Sequence, residues 1–268
     1  MEIKVSAIVV GRNESSKLAA CLNSLRFCDE ILYADLDSGD NSIDIAKKFK
    51  CRIFEYKTFG PSCEYTQSEL INVVNNDWIL ILDPDEVMTT TLENELKGLL
   101  PQIYGESNIG AVFVPWQFYF GRKRLTGTVW GYKNQKAILF NRHRFEIRPV
   151  THFGRQLKPG FSGYHLESNG ENVLNHFWMD DFHAFLAKHR KYLKDEGKDR
   201  YNLGERISFF GILYRTLAEF YRCYFRRDGY KDGFTGLFLS FFWTWYTTSS
   251  NISLYKIAWK AKYKKRRS

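Results

Sequence analysis

With 268 residues, 44% of them apolar and 26% charged, the chain can bury a core of its own, which excludes a disordered tether. Its five cysteines, at positions 21, 28, 51, 63 and 223, form no CxxC pair, which argues against a disulfide framework or a zinc site and for reduced cytosolic thiols. The net charge of +9 is unevenly spread: after Asp232 there is no acid but seven bases, Lys256, Lys260, Lys262, Lys264, Lys265, Arg266 and Arg267.

Residues 3–10 read as a buried first strand, with no basic-then-apolar leader before it. Gly11-Arg12-Asn13-Glu14 is a loop, and Ser15 or Ser16 is placed to cap a helix whose apolar face is Leu18, Cys21, Leu22 and Leu25. Residues 30–36 form a second strand that runs into the polar turn 35–42, followed by a helix through Phe49. Residues 51–56 form a third strand, Gly60-Pro61 a break, and 64–75 a weakly helical stretch. Trp78 to Asp83 reads as a strand buried on both faces, ended by Pro84. Strands alternating with helices argue for a parallel sheet with crossover helices.

A helix is expected over 91–100. Beyond it the pattern changes to strands at 111–120, 126–132 and 136–141, a mixed or antiparallel extension, and then to an irregular stretch over 142–176. Helices follow at about 180–199, 205–226 and 232–248, then a basic tail. These readings divide the chain into a domain over 1–178 and a C-terminal helical extension over 179–268. Within the domain, the change of pattern separates residues 1–100 from residues 101–178. No apolar run reaches the roughly 18 residues of a membrane span.

Three loops leave the C-terminal ends of strands carrying carboxylates: 11–14, 35–42 and 83–86. In open α/β sheets that edge binds ligands. Asp83, Asp85 and Glu86 repel one another unless a cation sits among them, and hard oxygen donors suit Mg²⁺ or Mn²⁺. Such an edge can take a diphosphate through a shared divalent metal. Each piece also has a plainer reading: Asp83, Asp85 and Glu86 as an acidic turn before helix 91–100, Asp40 as a helix cap and Asn13-Glu14 as a capping turn.

The order Ser6-Ala7-Ile8-Val9-Val10-Gly11-Arg12-Asn13-Glu14, the acidic Ser-Gly-Asp turn and Leu82-Asp83-Pro84-Asp85-Glu86 resembles family 2 glycosyltransferases of the GT-A fold. Within them it is similar to the branch with lipopolysaccharide core enzymes. The likeness covers the first 90 residues well and continues loosely through Thr151-His152, Asn175-His176 and Asp228–Gly236. It implies a Rossmann-like, mainly parallel sheet and a metal-dependent, inverting transfer of a hexosyl group from a UDP-sugar to a lipopolysaccharide or lipid-linked glycan. It makes residues 1–100 the donor region and 101–178 the acceptor region, and assigns Asp35 to the base, Asp83 to the ribose, Asn13 and Glu14 to base and ribose, and Asp40 to the turn. Asp85 and His176 would hold Mn²⁺ or Mg²⁺ at the diphosphate, and Glu86 would support the acceptor side or orient the neighbouring loop.

Two departures stand out. Relatives read His-Glu where this chain has His152-Phe153, so the proton acceptor passes to another group: Glu146, Glu167, Glu171, Asp180, Asp181 or His152 itself. An expected Arg-Asn reads Gln67-Ser68. The alternatives are a catalytically silent glycosyltransferase-like binding module and a nucleotidyltransferase, the latter disfavoured by the lack of a Gly-rich phosphate loop after the first strand.

Further on, Ile207, Phe210, Leu213, Leu217, Phe220 and Tyr224 recur at helical spacing beside arginines, and Leu237 to Tyr246 is apolar nearly all round. These helices pack on the domain or on a second copy, or lie in the plane of an anionic membrane with the basic tail beside them. Membrane contact places the protein on the cytoplasmic face of the cell membrane. Arg122, Lys123 and Arg124 are solvated or meet an anionic acceptor. No nucleic-acid recognition motif accompanies the tail.

Overall fold

The computed structural model describes residues 3–57, 63–105, 108–147, 155–179 and 182–265. The chain forms two compact units, one of residues 1–117 and 133–178, the other of 118–132 and 179–268.

The first unit begins as a parallel α/β array: β1 (Val5–Gly11), α1 (Ser15–Asn23), β2 (Glu30–Asp35), α2 (Ser42–Lys48), β3 (Arg52–Glu55), α3 (Cys63–Leu70) and β4 (Trp78–Leu82). β1 pairs in parallel with β2 and with β4, and β2 with β3. Every residue of β1 and β4 is buried, so both faces of each strand carry core side chains. Val5, Ala7 and Val9 pack with Leu80, Leu82, Leu18 and Leu22 on one face, while Ile8 and Val10 pack with Ile79, Ile81, Leu70 and Phe140 on the other. Full burial of one such aliphatic side chain contributes about 1.5–3 kcal/mol.

After β4 come β5 (Glu86–Met88), α4 (Thr90–Gly105), β6 (Ile109–Phe120), β7 (Lys123–Arg124), the short helical turn α5 (Thr128–Gly131) and β8 (Asn134–Asn141). β8 is antiparallel to both β4 and β6, the mixed extension expected from the change in sequence pattern. Among the described residues the main sheet runs β3-β2-β1-β4-β8-β6-β12-β5, with β12 the strand Leu174–Met179. It is a mixed α/β sheet with flanking helices, as the resemblance implies, with helices following at the C-terminal end.

Several expectations need correction. The stretch 142–176 is not irregular throughout: it holds β9 (Phe145–Ile147), β10 (Arg155–Leu157), β11 (Ser162–His165) and the start of β12. These strands are mostly three or four residues long, too short for an alternating pattern to register. β5 is hidden in the sequence for the same reason. Residues 126–132 are not a strand, because the amides of Thr126 and Gly127 go to the Asp232 carboxylate and that of Thr128 to the Arg227 carbonyl instead of to a ladder. α4 continues through Pro101 to Gly105, held by the buried Leu99, Leu100 and Ile103. α3 stops at Leu70.

The second unit gathers 118–132 with α6 (Phe182–Asn202), α7 (Phe209–Tyr221), a π turn at Arg222–Arg226, a 3-10 turn at Gly229–Asp232 and α8 (Gly233–Lys265). Thus a piece of the segment read from sequence as an acceptor region packs with the C-terminal helices. The loosely matched Asp228–Gly236 stretch has a structural explanation. Asp232 is buried and accepts hydrogen bonds from Thr126 N, Thr126 Oγ1 and Gly127 N at 2.9, 2.7 and 2.8 Å. A Cβ on Gly236 would sit 1.8 Å from the Gly229 carbonyl oxygen. The basic tail is not a separate element: α8 runs into it, with Ser250, Asn251 and Leu254 buried. Among the described residues no helix is long and apolar enough to cross a membrane.

The end of β1 touches the turn after β4 closely. A Cβ on Gly11 would lie 2.7 Å from Pro84 Cγ. Gly11→Ala is therefore expected to lower stability by roughly 1–3 kcal/mol, read as a lower urea midpoint with unchanged slope.

Candidate active site

The 35–42 turn is built around Asp35 and Asp40. Asp35, at the end of β2, accepts from Ser38 N at 2.8 Å and Tyr33 OH at 3.3 Å. Asp40 accepts from Ser15 N at 2.9 Å, Ser42 N at 3.0 Å and Ser42 Oγ at 2.6 Å. The expectation that Ser15 or Ser16 caps α1 fails: Glu14 is the N-cap residue and makes no side-chain cap bond. The orphan amides at the start of α1 are satisfied from the neighbouring turn, Ser15 N by Asp40 and Glu14 N by Ser42 Oγ at 3.2 Å. Asn13, at φ +57°, bridges the same two loops, its amide donating to Ser38 Oγ and its Oδ1 accepting from Gly39 N. Desolvation raises the Asp40 pKa, but the bonds from Ser42 and Ser15 outweigh it and lower the pKa to about 2.

The second half of the site lies past β4. Lys136, from β8, sends its ammonium between two carboxylates: Nζ is 2.7 Å from Asp83 Oδ2 and 2.7 and 2.6 Å from the two Glu86 oxygens. Glu86 Oε2 also accepts from Asp83 N at 2.9 Å. Side-chain exposure rises from 0% at Glu86 through 11% at Lys136 to 37% at Asp83, so the cluster is anchored inside and opens outward at Asp83. Burial pushes the Glu86 carboxyl above its usual range, with Lys136 offsetting this in part. Burial acts on Asp83 in the same sense, yet Lys136 and Arg155 outweigh it and hold Asp83 well below the carboxylate range. Burial likewise lowers the Lys136 pKa, but Asp83 and Glu86 overcome it and raise it above that of an ordinary lysine.

Asp85 points to a different partner. Its Oδ2 lies 3.3 Å from His176 Nε2, and its backbone oxygen accepts from Phe177 N at 2.9 Å. β12 supplies both contacts because it pairs antiparallel with β5, with His176 opposite Glu86. The His176 ring stacks on Trp116 at 5.1 Å, and Lys136 Nζ lies 5.2 Å from the same indole. The separation of Asp85 and His176 lets one divalent ion take a donor atom from each, the carboxylate suiting Mn²⁺ or Mg²⁺ and the imidazole a softer ion than Mg²⁺. Among the described residues no three His, Cys, Asp or Glu side chains cluster to hold an ion, so donor oxygens or water would complete the shell.

Asn13, Glu14, Asp35 and Asp40 thus form one loop pair, and Asp83, Asp85, Glu86 and His176 the neighbouring cluster. Glu146 lies on β9 opposite Gln156. Glu167 and Glu171 flank a turn in which Asn169 and Asn172 bind Glu95 of α4. His152, Phe153, Asp180 and Asp181 lie outside the described residues.

Sequence reasoning missed Lys136 and Arg155. Lys136 follows two polar residues of β8 and precedes its apolar run 137–140, where a lone lysine reads as an ordinary solvated residue. Arg155 Nη2 donates to the buried Gln67 Oε1 at 2.8 Å, and its charge acts on Asp83. The signal was present as the departure at Gln67: a buried amide there calls for a partner.

No family model matches the chain. Over 242 residues it is 23% identical to an uncharacterized glycosyltransferase of Rickettsia prowazekii, covering 87% of this chain and 80% of that one. Over 246 residues it is 23% identical to the lipopolysaccharide core biosynthesis glycosyltransferase LpsC of Rhizobium meliloti, covering 88% and 86%. Among solved structures, S. aureus TarS 1-349 in complex with UDP-GlcNAc aligns with a TM-score of 0.39 at 19% identity, over 45% of this chain and 36% of that one. The glucosyl-3-phosphoglycerate synthase of Mycobacterium tuberculosis, in complex with Mn²⁺, UDP and glucosyl-3-phosphoglycerate, aligns at 0.36 and 15% identity, over 45% and 46%. The chain is therefore a relative, over most of its length, of curated glycosyltransferases, and one of them is a lipopolysaccharide core enzyme.

Two outcomes follow from the electrostatics. Lys136→Met leaves Glu86 buried without its cation and is expected to cost roughly 3–5 kcal/mol, with some of the loss recovered in the Lys136→Met/Glu86→Gln double variant. Both are read by urea unfolding. Because the folded-state pKa of Asp40, about 2, lies below its ordinary value of 3.8, Asp40 stabilises the turn above that ordinary value and loses this as pH falls toward 2. Asp40→Asn is expected to lower stability at neutral pH and flatten the acid limb of unfolding between those values, followed by circular dichroism.

Proposed function

We propose that the chain is a metal-dependent, inverting glycosyltransferase that moves a hexosyl group from a UDP-sugar to a lipopolysaccharide or lipid-linked glycan. The observation that carries this reading is the meeting of Asp85 and His176 beside a cation-held Asp83, at the C-terminal edge of β4. The acceptor class follows the name of the core biosynthesis relative. With a UDP-sugar donor and a lipid-linked acceptor, we infer a peripheral position on the cytoplasmic face of the cell membrane.

In this reading Asp35, Asn13 and Glu14 meet the base and ribose. Asp40 holds the turn that carries Asp35, and Asp83 completes the ribose side. Asp85 and His176 hold Mn²⁺ or Mg²⁺, which when bound neutralises charge on the diphosphate leaving group. Arg155, oriented by Gln67, adds a fixed cation on the same side. Glu86 orients the loop: both its oxygens are engaged by Lys136, which keeps Asp83 ionised and in place. The acceptor hydroxyl attacks the anomeric carbon from the face opposite the diphosphate and loses its proton to a carboxylate or imidazole. Glu146, Asp180 and His152 are the candidates.

The test is UDP release from a panel of UDP-sugars, with and without Mn²⁺ or Mg²⁺. Asp85→Ala is expected to abolish metal-dependent turnover, and His176→Ala to raise the metal concentration needed for half-maximal rate. Turnover that is independent of metal, or unchanged in Asp85→Ala, rejects the metal assignment. Arg155→Ala is expected to weaken UDP binding about tenfold, the scale of one lost charge-assisted hydrogen bond. Equal calorimetric affinities would remove Arg155 from the site. The pairing of Lys136 with two of the three carboxylates gives the silent-module alternative its own support, since it stabilises the cluster without any metal. Metal-independent UDP binding with no transfer to any acceptor would favour it.

A further inference from the structure

The outer face of α7 remains unexplained by the site. On its inner side Ile212 is buried and Thr216 Oγ1 meets Thr248 Oγ1 of α8 at 2.8 Å. On the opposite side Phe209, Phe210, Leu213, Tyr214, Leu217 and Tyr221 are between 51% and 79% exposed. Residues 209, 213, 217 and 221 follow one another every four positions, with 210 and 214 beside them, so the six form one continuous stripe. Its area is on the order of several hundred Å², more than a scattering of single apolar side chains leaves on a surface. Phe241 of α8, 4.7 Å from Phe220, extends it.

The apolar run Leu237–Tyr246 is taken up by packing only in part, with Phe241 and Trp245 58% and 46% exposed. Phe242 lies 4.2 Å from Phe185 and 4.9 Å from His189, and Leu239, Phe242 and Tyr246 are buried. The larger part of the exposed stripe is that on α7.

Charge selects the occupant. Arg206, Arg215 and Arg226 are exposed along or just beyond α7, whereas its one acid, Glu219, is bound by Arg222 at 3.0 Å. Next to the start of α7 lies a cleft of about 530 Å³ lined by Tyr201, Arg206, Tyr255, Trp259 and Lys262, with the Arg206 guanidinium 3.8 Å from the centre of the Tyr201 ring. Rings and cations together suit a phosphate head group that continues into apolar tails. A second copy docked face to face would bring the same arginines against each other, which opposes self-association.

We propose that the outer face of α7 is an in-plane docking surface for an anionic lipid bilayer, its aromatic stripe at the acyl boundary and its arginines at the head groups. The proposal deepens the membrane placement given above by naming the surface, and it requires neither donor nor turnover.

The test is co-sedimentation of the full chain with vesicles of phosphatidylcholine alone and of phosphatidylcholine mixed with phosphatidylglycerol. Binding is expected on the mixed vesicles and to be weaker by about tenfold or more on the neutral ones, as several released counter-charges require. Phe210→Ser with Leu217→Ser, at exposed positions, is expected to weaken binding to mixed vesicles by at least about tenfold, with an unchanged thermal melt. Absence of wild-type binding overturns the proposal. So does wild-type affinity in the double variant, which would assign attachment to the tail cations. A wild-type dimer that the double variant dissociates, seen by sedimentation velocity without vesicles, would assign the stripe to self-association and overturn it equally. All three results leave the transferase reading untouched, because none measures transfer.

Discussion

The ammonium of Lys136 is the interaction on which the acidic edge after β4 depends. β4 ends with Asp83, Asp85 and Glu86 within four residues, and at neutral pH these charges would push the turn open. One lysine from the adjacent antiparallel strand engages two of them, with three oxygens within 2.7 Å. A buried pair of this kind is a weak source of net stability, since desolvation offsets the Coulomb gain. Its value is positional. It keeps Asp83 ionised at the mouth and fixes Glu86 below it, leaving Asp85 to face His176. The three carboxylates of one short motif thereby acquire three different environments: Glu86 with a raised pKa, Asp83 with a lowered one, and Asp85 against an imidazole.

The same economy appears at the first loop. α1 lacks a side-chain cap of its own, and its first amides are bound by Asp40 and Ser42 from the turn after β2. The two loops therefore form as one body, with Asn13 in a left-handed conformation closing the other side. A residue assigned to ligand binding by resemblance can also be structural. Asp40 is the clearest case, because its oxygens are filled by two hydrogen bonds from Ser42 of the turn and one from Ser15 of α1. Asp35 shares the burden, with one bond to Ser38 N and one to Tyr33 OH.

What could be read from the chain alone follows the range of each interaction. β1, β2 and β4 announce themselves because strands buried on both faces are unbroken apolar runs, and the three acidic loops follow from where those runs stop. β5, β9, β10 and β11 stay hidden because three or four residues carry no period. The strand expected at 126–132 fails because its amides bind Asp232 and the Arg227 carbonyl, about a hundred positions away, and nothing local records that. Lys136 is fifty residues from its partners and belongs to no motif. The acidic half of the cluster was legible as a spacing, whereas the basic half exists only through the pairing of β8 with β4.

Gln67 shows how a departure from a family pattern is informative once the structure is known. The resemblance leads one to expect an arginine followed by an asparagine there, and a glutamine followed by a serine looks like loss of a cation. The position is buried, and its amide oxygen receives Arg155 from β10. A guanidinium held by a neutral amide keeps its full charge, and that charge still acts on Asp83. The cation at this edge thus comes from β10, and Gln67 orients it. Phe153 poses the corresponding question for the proton acceptor. By the logic of Gln67 and Arg155, a lost motif residue is compensated when a neighbouring strand can present the same chemistry to the same point. β9, which carries Glu146, pairs directly with the strand that carries Arg155.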